Sequence, residues 1–374
     1  MKNYLSELAR SLKPYTPGEQ PKDKKYIKLN TNENPYPPSK LVGKAIEFET
    51  EDLRLYPDPE ATALRESLAK YYGLKADQIF VGNGSDEVLA FAFPAFFSGG
   101  TVLFPDITYS FYPIFAGLFA TAYQEVPLKK DFALDPSDYF PENRSEMAKN
   151  PSGILIANPN APTGRYLPLG ELEKIILANP ETVVLVDEAY VDFGGESATS
   201  LINTYDNLLV VMTLSKSRSL AGLRIGFALG NPHLIEGLSR IKNSFNSYTI
   251  DRLAMAGAIF AIEDEAYFQE TRHKIMRTRE TVAERLETMG FQVIPSRANF
   301  LFVRHQNKAA KDLFNALRDR GILVRYFDKP LIDAYLRITI GTEAEMKTFI
   351  GIIGELTGFT NGDSTDFTNG ELTD

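Results

Sequence analysis

Cysteine is absent from the sequence, and histidine occurs only three times. Without thiols there is no disulfide framework, no zinc ribbon and no cysteine nucleophile. His233, His273 and His305 stand far apart in polar stretches and form nothing like HExxH, so no metal site is expected. Apolar runs are short: none approaches the roughly 18 residues of a membrane span, and the first residues lack the apolar stretch of a secretion signal. The expectation is a soluble, cytoplasmic protein. Blocks of like charge are missing too. Lys and Arg total 40 against 49 Asp and Glu, for a net charge of −9, which repels nucleic-acid phosphates. Over 264–289, Arg272, His273, Lys274, Arg277 and Arg279 interleave with glutamates, the pattern of a solvated helix face.

What is present is an ordinary globular composition, 44% hydrophobic and 24% charged over 374 residues. A chain of this length buries about three quarters of its unfolded surface, and its size suggests two lobes. Residues 1–40, rich in Pro, Asn and Lys, read as an extended arm. Short apolar runs at 78–81, 101–104, 123–126, 153–157, 183–186, 208–212 and 223–229 alternate with helical stretches such as 85–97, 109–119 and 169–177. Runs without polar alternation fit strands buried on both faces, so the fold class is α/β with a mostly parallel sheet. After about residue 245, helical 251–263, 264–289 and 309–318 mix with apolar runs at 291–294, 299–303, 322–324 and 335–340, a smaller α+β lobe. The domains expected are an arm at 1–45 joining the small lobe, a large domain at 46–250, a small domain at 251–356 and an acidic, disordered tail at 357–374. That tail repeats FTNGDSTD as FTNGELTD.

Ligands of such sheets lie beyond the carboxyl ends of the strands, and four polar signals fall there. Gly82-Asn83-Gly84-Ser85-Asp86-Glu87 joins a strand to a helix, either a phosphate seat on free N–H groups or simply an N-cap. No third glycine stands where a dinucleotide fingerprint needs one, and no GK[ST] follows. Asn158-Pro159-Asn160-Ala161-Pro162-Thr163-Gly164 is a loop fixed by prolines. Asp187 and Glu188 follow a fully apolar strand, with Tyr190 close behind; a carboxylate at that depth needs a partner. Thr213, Ser215 and Lys216 follow the next apolar run, and Arg224 comes eight residues after Lys216. A partly dehydrated lysine beside other cations can act as an amine nucleophile, and an arginine fork suits a phosphate dianion.

Asp187-Glu188-Ala189-Tyr190, Ser215-Lys216 and Ala221-Gly222-Leu223-Arg224 together resemble the pyridoxal-phosphate aminotransferases of fold type I. Within them, Leu29-Asn30-Thr31-Asn32-Glu33-Asn34-Pro35-Tyr36, Tyr56-Pro57-Asp58 and Leu336-Arg337-Ile338-Thr339-Ile340-Gly341-Thr342 resemble the histidinol-phosphate aminotransferases, over roughly 4–356. The resemblance implies exchange of an amino group between L-histidinol phosphate and 2-oxoglutarate, giving imidazole-acetol phosphate and L-glutamate by a ping-pong route in histidine biosynthesis. It implies pyridoxal 5′-phosphate as cofactor, held by Lys216 as a Schiff base, with Lys216 then moving the proton. Asp187 would pair with the ring nitrogen and Tyr190 with the ring oxygen. Ser85, Asp86, Thr213, Ser215 and Arg224 would take the phosphate, and Tyr109 would stack on the ring or pack in the core. Tyr56 would reach the phosphate of a neighbouring subunit, making a homodimer with shared sites. Arg337, Arg325 and Tyr15 would meet the substrate. An aromatic amino-acid aminotransferase and a threonine-phosphate decarboxylase share the scaffold, whereas a regulator that only binds the cofactor lacks room for a DNA-binding module.

Two departures stand out. Relatives usually read Asn-Asn-Pro-Thr-Gly in the proline loop, the second Asn bonding the cofactor's ring oxygen, but Ala161 occupies that place. Either Asn160 substitutes for it, or Tyr190 holds the oxygen alone and the imine titrates at higher pH. Pro37 stands where relatives often have Gly, so the arm is expected to be stiffer.

Overall fold

The runs of Val, Ile and Leu become the central strands of a seven-stranded sheet because every residue in them can be buried. The computed structural model describes residues 4–145 and 149–359. Across the sheet the strands lie in the order Ile79–Asn83, Ile225–Gly230, Leu208–Thr213, Val183–Asp187, Gly153–Ala157, Thr101–Pro105 and Ala122–Val126. Ile225–Gly230 runs antiparallel to both neighbours, and the other pairings are parallel. Successive side chains point to opposite faces. Ile154, Ile156, Val184, Val186 and Val210 therefore join one core with the helices Thr62–Tyr72, Leu169–Leu177 and Arg252–Glu263. Leu155, Leu185, Leu209 and Val211 join another with Gly84–Ala92, Phe111–Leu118 and Pro232–Phe245.

The second lobe has a four-stranded antiparallel sheet in the order Arg325–Tyr326, Leu336–Thr339, Phe300–His305, Phe291–Ile294. Helices Glu265–Thr288, Ala310–Asp319 and Glu343–Thr357 cover it. The arm completes this lobe. Ile27–Lys28 pairs in parallel with Ile322–Leu323, and Leu29, 1% exposed, sits in its core.

The structure departs from the sequence expectations at several points. The helix expected over 85–97 ends as an α-helix at Ala92 and continues as a wider π turn, Phe93–Phe97, which contains Pro94. Proline has no N–H to give the regular i→i−4 bond. The strand expected from 223 begins at Ile225, because Arg224 turns through the left-handed region at φ 56. The arm holds a short helix, Glu7–Ser11, capped by Ser6. Arg279 does not belong to a solvated face: it is 1% exposed, and its guanidinium donates to the Phe193 and Ala298 carbonyls, bridging the two lobes. The last helix runs to Thr357 and is capped by Gly358 at φ 77; residues 360–374, most of the expected disordered tail, lie outside the described residues. Among the described residues no helix is long and apolar enough to cross a membrane, and no acid or histidine cluster could hold a metal ion.

Candidate active site

Parallel strands deliver their last residues to one edge, and the strand that runs the other way begins there. Asp187 closes one central strand and Thr213 the next, Ser215 and Lys216 follow, and Arg224 precedes Ile225–Gly230. The helix Gly84–Ala92 starts at the same edge. These residues line a cleft of about 830 Å³, open to solvent, whose far wall is the small lobe with Arg325 and Arg337.

Asp187 is 5% exposed. It accepts the Tyr112 hydroxyl at 3.0 Å and the Ala189 N–H at 3.2 Å. Burial raises its pKa to about 6, against the smaller opposing pull of these two bonds. Among the described residues it has no cationic partner, so this carboxylate calls for a positive charge from a ligand.

Lys216 Nζ donates to the Thr31 carbonyl at 3.1 Å and lies 5.9 Å from the centre of the Tyr190 ring. The Tyr190 hydroxyl accepts from Asn32 Nδ2 at 2.9 Å.

At the helix N-terminus, backbone approaches so closely that side chains are excluded. A Cβ on Gly226 would lie 2.2 Å from the Ser85 nitrogen, and one on Gly84, at φ 79, would lie 2.4 Å from Arg224 Nη2. Free helix N–H groups, the hydroxyls of Thr213 and Ser215, 2.9 Å apart, and the Arg224 guanidinium face the same space. Among the described residues Arg224 is held only by contacts of 3.5 Å to Asp86, Ser215 and the Ala221 carbonyl, which leaves its fork open to an oxyanion. Asp86 has its carboxylate engaged by the Tyr109 hydroxyl at 2.7 Å, so only its backbone can offer donors to an anion.

Arg337 Nη2 donates to the Asn30 carbonyl at 3.0 Å, and its centre lies 5.3 Å from the Phe300 ring and 5.6 Å from the Phe327 ring. Its Nε is buried without a partner, and burial pushes its pKa down. Among the described residues no carboxylate pairs with it. Arg325 donates to the Thr16 carbonyl at 3.1 Å, and Tyr15 lines the same cleft, tilted on Phe111 at 4.5 Å. Two guanidinium groups with no carboxylate partner among the described residues, at one end of a cleft, make a seat for a dianion.

One residue expected at the site lies elsewhere. Asn160 does not line the cleft: its amide turns back to the Ile107 carbonyl and Thr163 Oγ1, both at 2.9 Å, and it faces a neighbouring cavity, while Ala161 lines the cleft. Of the two alternatives for the missing Asn, Asn160 therefore supplies no donor here. Tyr56, expected to reach a neighbouring subunit and not this cleft, is 79% exposed outside it, stacked on Tyr248 at 4.8 Å. Others went unassigned in the sequence. Tyr112 reads there as one apolar position of a core helix. Asn30, Thr31 and Asn32 lie in a motif that shows relatedness but gives no hint of what the segment touches.

The donor set fits pyridoxal phosphate: a lysine amine for an aldehyde, an uncompensated buried carboxylate for a ring nitrogen that carries a proton, and a backbone cradle with an open arginine for a phosphate. Comparison with known proteins agrees. The model of the family described as aminotransferase class I and II matches residues 24–353. The chain is 58% identical over 347 residues to histidinol-phosphate aminotransferase 1 of Hydrogenovibrio crunogenus, covering 92% of this chain and 95% of that protein. It is 55% identical over 357 residues to the histidinol-phosphate aminotransferase of Clostridium acetobutylicum, covering 95% and 99%. The fold matches the crystal structure of histidinol-phosphate aminotransferase from Sinorhizobium meliloti in complex with pyridoxal-5′-phosphate, with a TM-score of 0.83 at 24% identity over 96% of this chain and 98% of that one.

Proposed function

The chain belongs to the class I and II aminotransferases, and from that membership we propose that it moves the amino group of L-histidinol phosphate to 2-oxoglutarate in histidine biosynthesis. The relatives at 53–58% identity that carry this activity in their names support the first substrate; the choice of 2-oxoglutarate is our own. The observation that carries the reading is one cleft holding Lys216 and Asp187 at one end and, at the other, Arg337, a half-buried guanidinium with no carboxylate partner among the described residues.

Lys216 would hold pyridoxal phosphate through its amine. Asp187 would face the ring nitrogen and Tyr190 the ring oxygen, with Tyr109 against the ring. Ser85, the Asp86 backbone, Thr213, Ser215 and Arg224 would bind its phosphate. When bound, the cofactor supplies an electron-accepting ring that stabilises charge on the carbon losing a proton. Asp187 keeps a proton on the ring nitrogen by staying ionised beside it. Lys216 Nζ, lying beside the substrate's amine-bearing carbon, would take the proton from it. Arg337 and Arg325 hold the substrate phosphate in one half-reaction and a carboxylate in the other, since both oxyanions match the guanidinium fork. Tyr15 closes over that end.

The working unit we propose is a cytoplasmic homodimer in which Tyr56 reaches the phosphate of the other subunit's cofactor. Phe48, Leu53, Leu55 and Phe245, all exposed around Tyr56 and Tyr248 in sequence, support such a face. The large domain would span about 46–250, and the small one 251–356 with the arm 1–45.

Visible absorbance of the purified protein tests the reading. Addition of L-histidinol phosphate should bleach the cofactor band, phenylalanine should act far more weakly, and no carbon dioxide should be released. Borohydride should fix the cofactor on the Lys216 peptide. An unmodified Lys216 peptide, or phenylalanine preferred as donor, would overturn it.

A further inference from the structure

Asn32 is 1% exposed and sits at φ 58, a conformation that asparagine tolerates better than most residues. Its backbone N–H donates to Thr339 Oγ1 at 3.0 Å, Thr339 Oγ1 donates to Asn32 Oδ1 at 2.9 Å, and Asn32 Nδ2 donates to the Tyr190 hydroxyl at 2.9 Å. Asn299 Nδ2 holds the Asn32 carbonyl at 2.9 Å, and Thr339 is 3% exposed, so this corner is dry.

The directions of these bonds follow from counting protons. A threonine hydroxyl has one proton and accepts with its lone pairs. Thr339 already accepts the Asn32 N–H, so its proton goes to an acceptor, and Asn32 Oδ1 is the one in reach. Turning the amide over would set an N–H against Thr339 and leave that hydroxyl proton without an acceptor, a costly arrangement in a buried place. Asn32 Nδ2 therefore faces Tyr190, whose oxygen must accept. The Tyr190 proton then points away from Asn32. Among the described residues the hydroxyl has no second hydrogen-bond partner, and the side it has left is the cleft. The charged side chains that line that cleft are Asp86, Asp187, Lys216, Arg224, Arg325 and Arg337, and the tyrosines Tyr109 and Tyr112 lie close enough to act on Tyr190 electrostatically; among the described residues none of them bonds its hydroxyl.

We propose that Asn32, locked by Thr339, is a positioning residue that aims the Tyr190 hydroxyl proton into the cleft, at the ring oxygen of the bound cofactor. The inference rests on the function proposed above. It also accounts for how the site works with Ala161, a residue without a donor, at the cleft wall. A donor at that oxygen stabilises its negative form and lowers the pH at which the bound chromophore titrates.

Absorbance titration of the holoenzyme reads this separately from turnover. In Asn32→Asp, which keeps size and tolerates the same backbone, both side-chain oxygens accept, so Tyr190 must turn its proton to the new carboxylate. The titration midpoint should rise by about one to two pH units, the size of a hydrogen bond to a charged oxygen. Tyr190→Phe should rise as much, and the double variant should rise no further. Thr339→Val, which frees the amide, should shift in the same direction, and Thr339→Ser should restore the wild-type midpoint. A wild-type midpoint in both Asn32→Asp and Thr339→Val overturns the inference. So does an Asn32→Asp shift that persists in full on top of Tyr190→Phe, which would be plain charge. If Asn32→Asp does not fold, the threonine pair decides alone. Failure of the wild type to bind pyridoxal phosphate would instead strike the proposed function.

Discussion

Tyr112 donates its hydroxyl to Asp187 Oδ2 at 3.0 Å, the one side-chain hydrogen bond this carboxylate receives among the described residues. That bond favours the ionised form and opposes the burial that raises the Asp187 pKa to about 6. Affinity for pyridoxal phosphate should therefore fall as pH drops below about 6, where Asp187 takes up a proton and loses its pull on the ring nitrogen. In Tyr112→Phe the fall should begin at higher pH, with affinity at neutral pH weakened by about 1 kcal/mol, roughly fivefold. Equilibrium dialysis of the cofactor across pH checks both; an unchanged midpoint would refute the prediction.

Glu188 is 2% exposed and accepts from the Ala198 N–H at 2.7 Å and from the Ser197 hydroxyl at 2.5 Å, yet burial dominates and raises its pKa from 4.5 to about 8. A group raised on folding gives stability that is complete below about 4.5 and is lost as pH rises through about 8. Asp187 does the same at lower pH, so between 6 and 8 the slope in the cofactor-free protein belongs to Glu188. Thermal unfolding should show Tm falling over that window, and Glu188→Gln should flatten it. Equal slopes in the two proteins would rule Glu188 out.

Arg337→Ala should raise KM for L-histidinol phosphate by about 10- to 100-fold, the loss of a charge-assisted hydrogen bond. Arg337→Lys should recover little of it, because an ammonium lacks the two-pronged geometry. Cofactor affinity should stay near wild type in both variants, since Arg224 and the helix N-terminus sit at the other end of the cleft. Steady-state kinetics with a parallel cofactor titration separates the two ends.

If Tyr56 completes a neighbouring subunit's site, Tyr56→Ala and Lys216→Ala proteins should each be nearly inactive alone. Refolded together, they should recover about a quarter of wild-type activity, because half the dimers are mixed and each of those has one intact site of two. No recovery, with mixed dimers verified by mass spectrometry, would place Tyr56 outside the shared site.

Much of the large lobe is legible in the sequence because its strands are buried on both faces and therefore lack polar residues. The polar residue that ends such a run, Asp187 or Thr213, marks the edge where ligands bind, and Lys216 and Arg224 follow at short range. The legible residues are those whose partners lie nearby in the chain or at the same sheet edge. Tyr112 was not legible, since a tyrosine among Phe111, Ile114 and Phe115 reads as core and its bond to Asp187 depends on helix placement. Asn160 misled for a related reason: adjacency to Ala161 says nothing about which way a side chain turns, and the Ile107 carbonyl claims its amide. Arg279 misled because charge spacing along a helix does not reveal which backbone carbonyls wait at the lobe boundary. Asn32 was beyond reach, as its partners lie 158 and 307 residues away.

The distances spanned by the arm bear on how the protein is made. Ile27–Lys28 finds its strand partner at Ile322–Leu323, and the Lys216 amine rests on the Thr31 carbonyl. During synthesis the large lobe has its strands by residue 230, but the arm must wait for roughly another 90 residues before its own partner exists. Contacts so far apart close slowly. Until then Leu29 stays exposed and Lys216 lacks that carbonyl, so a nascent chain should acquire the ability to capture its coenzyme late, in a single step, when the small lobe receives the arm.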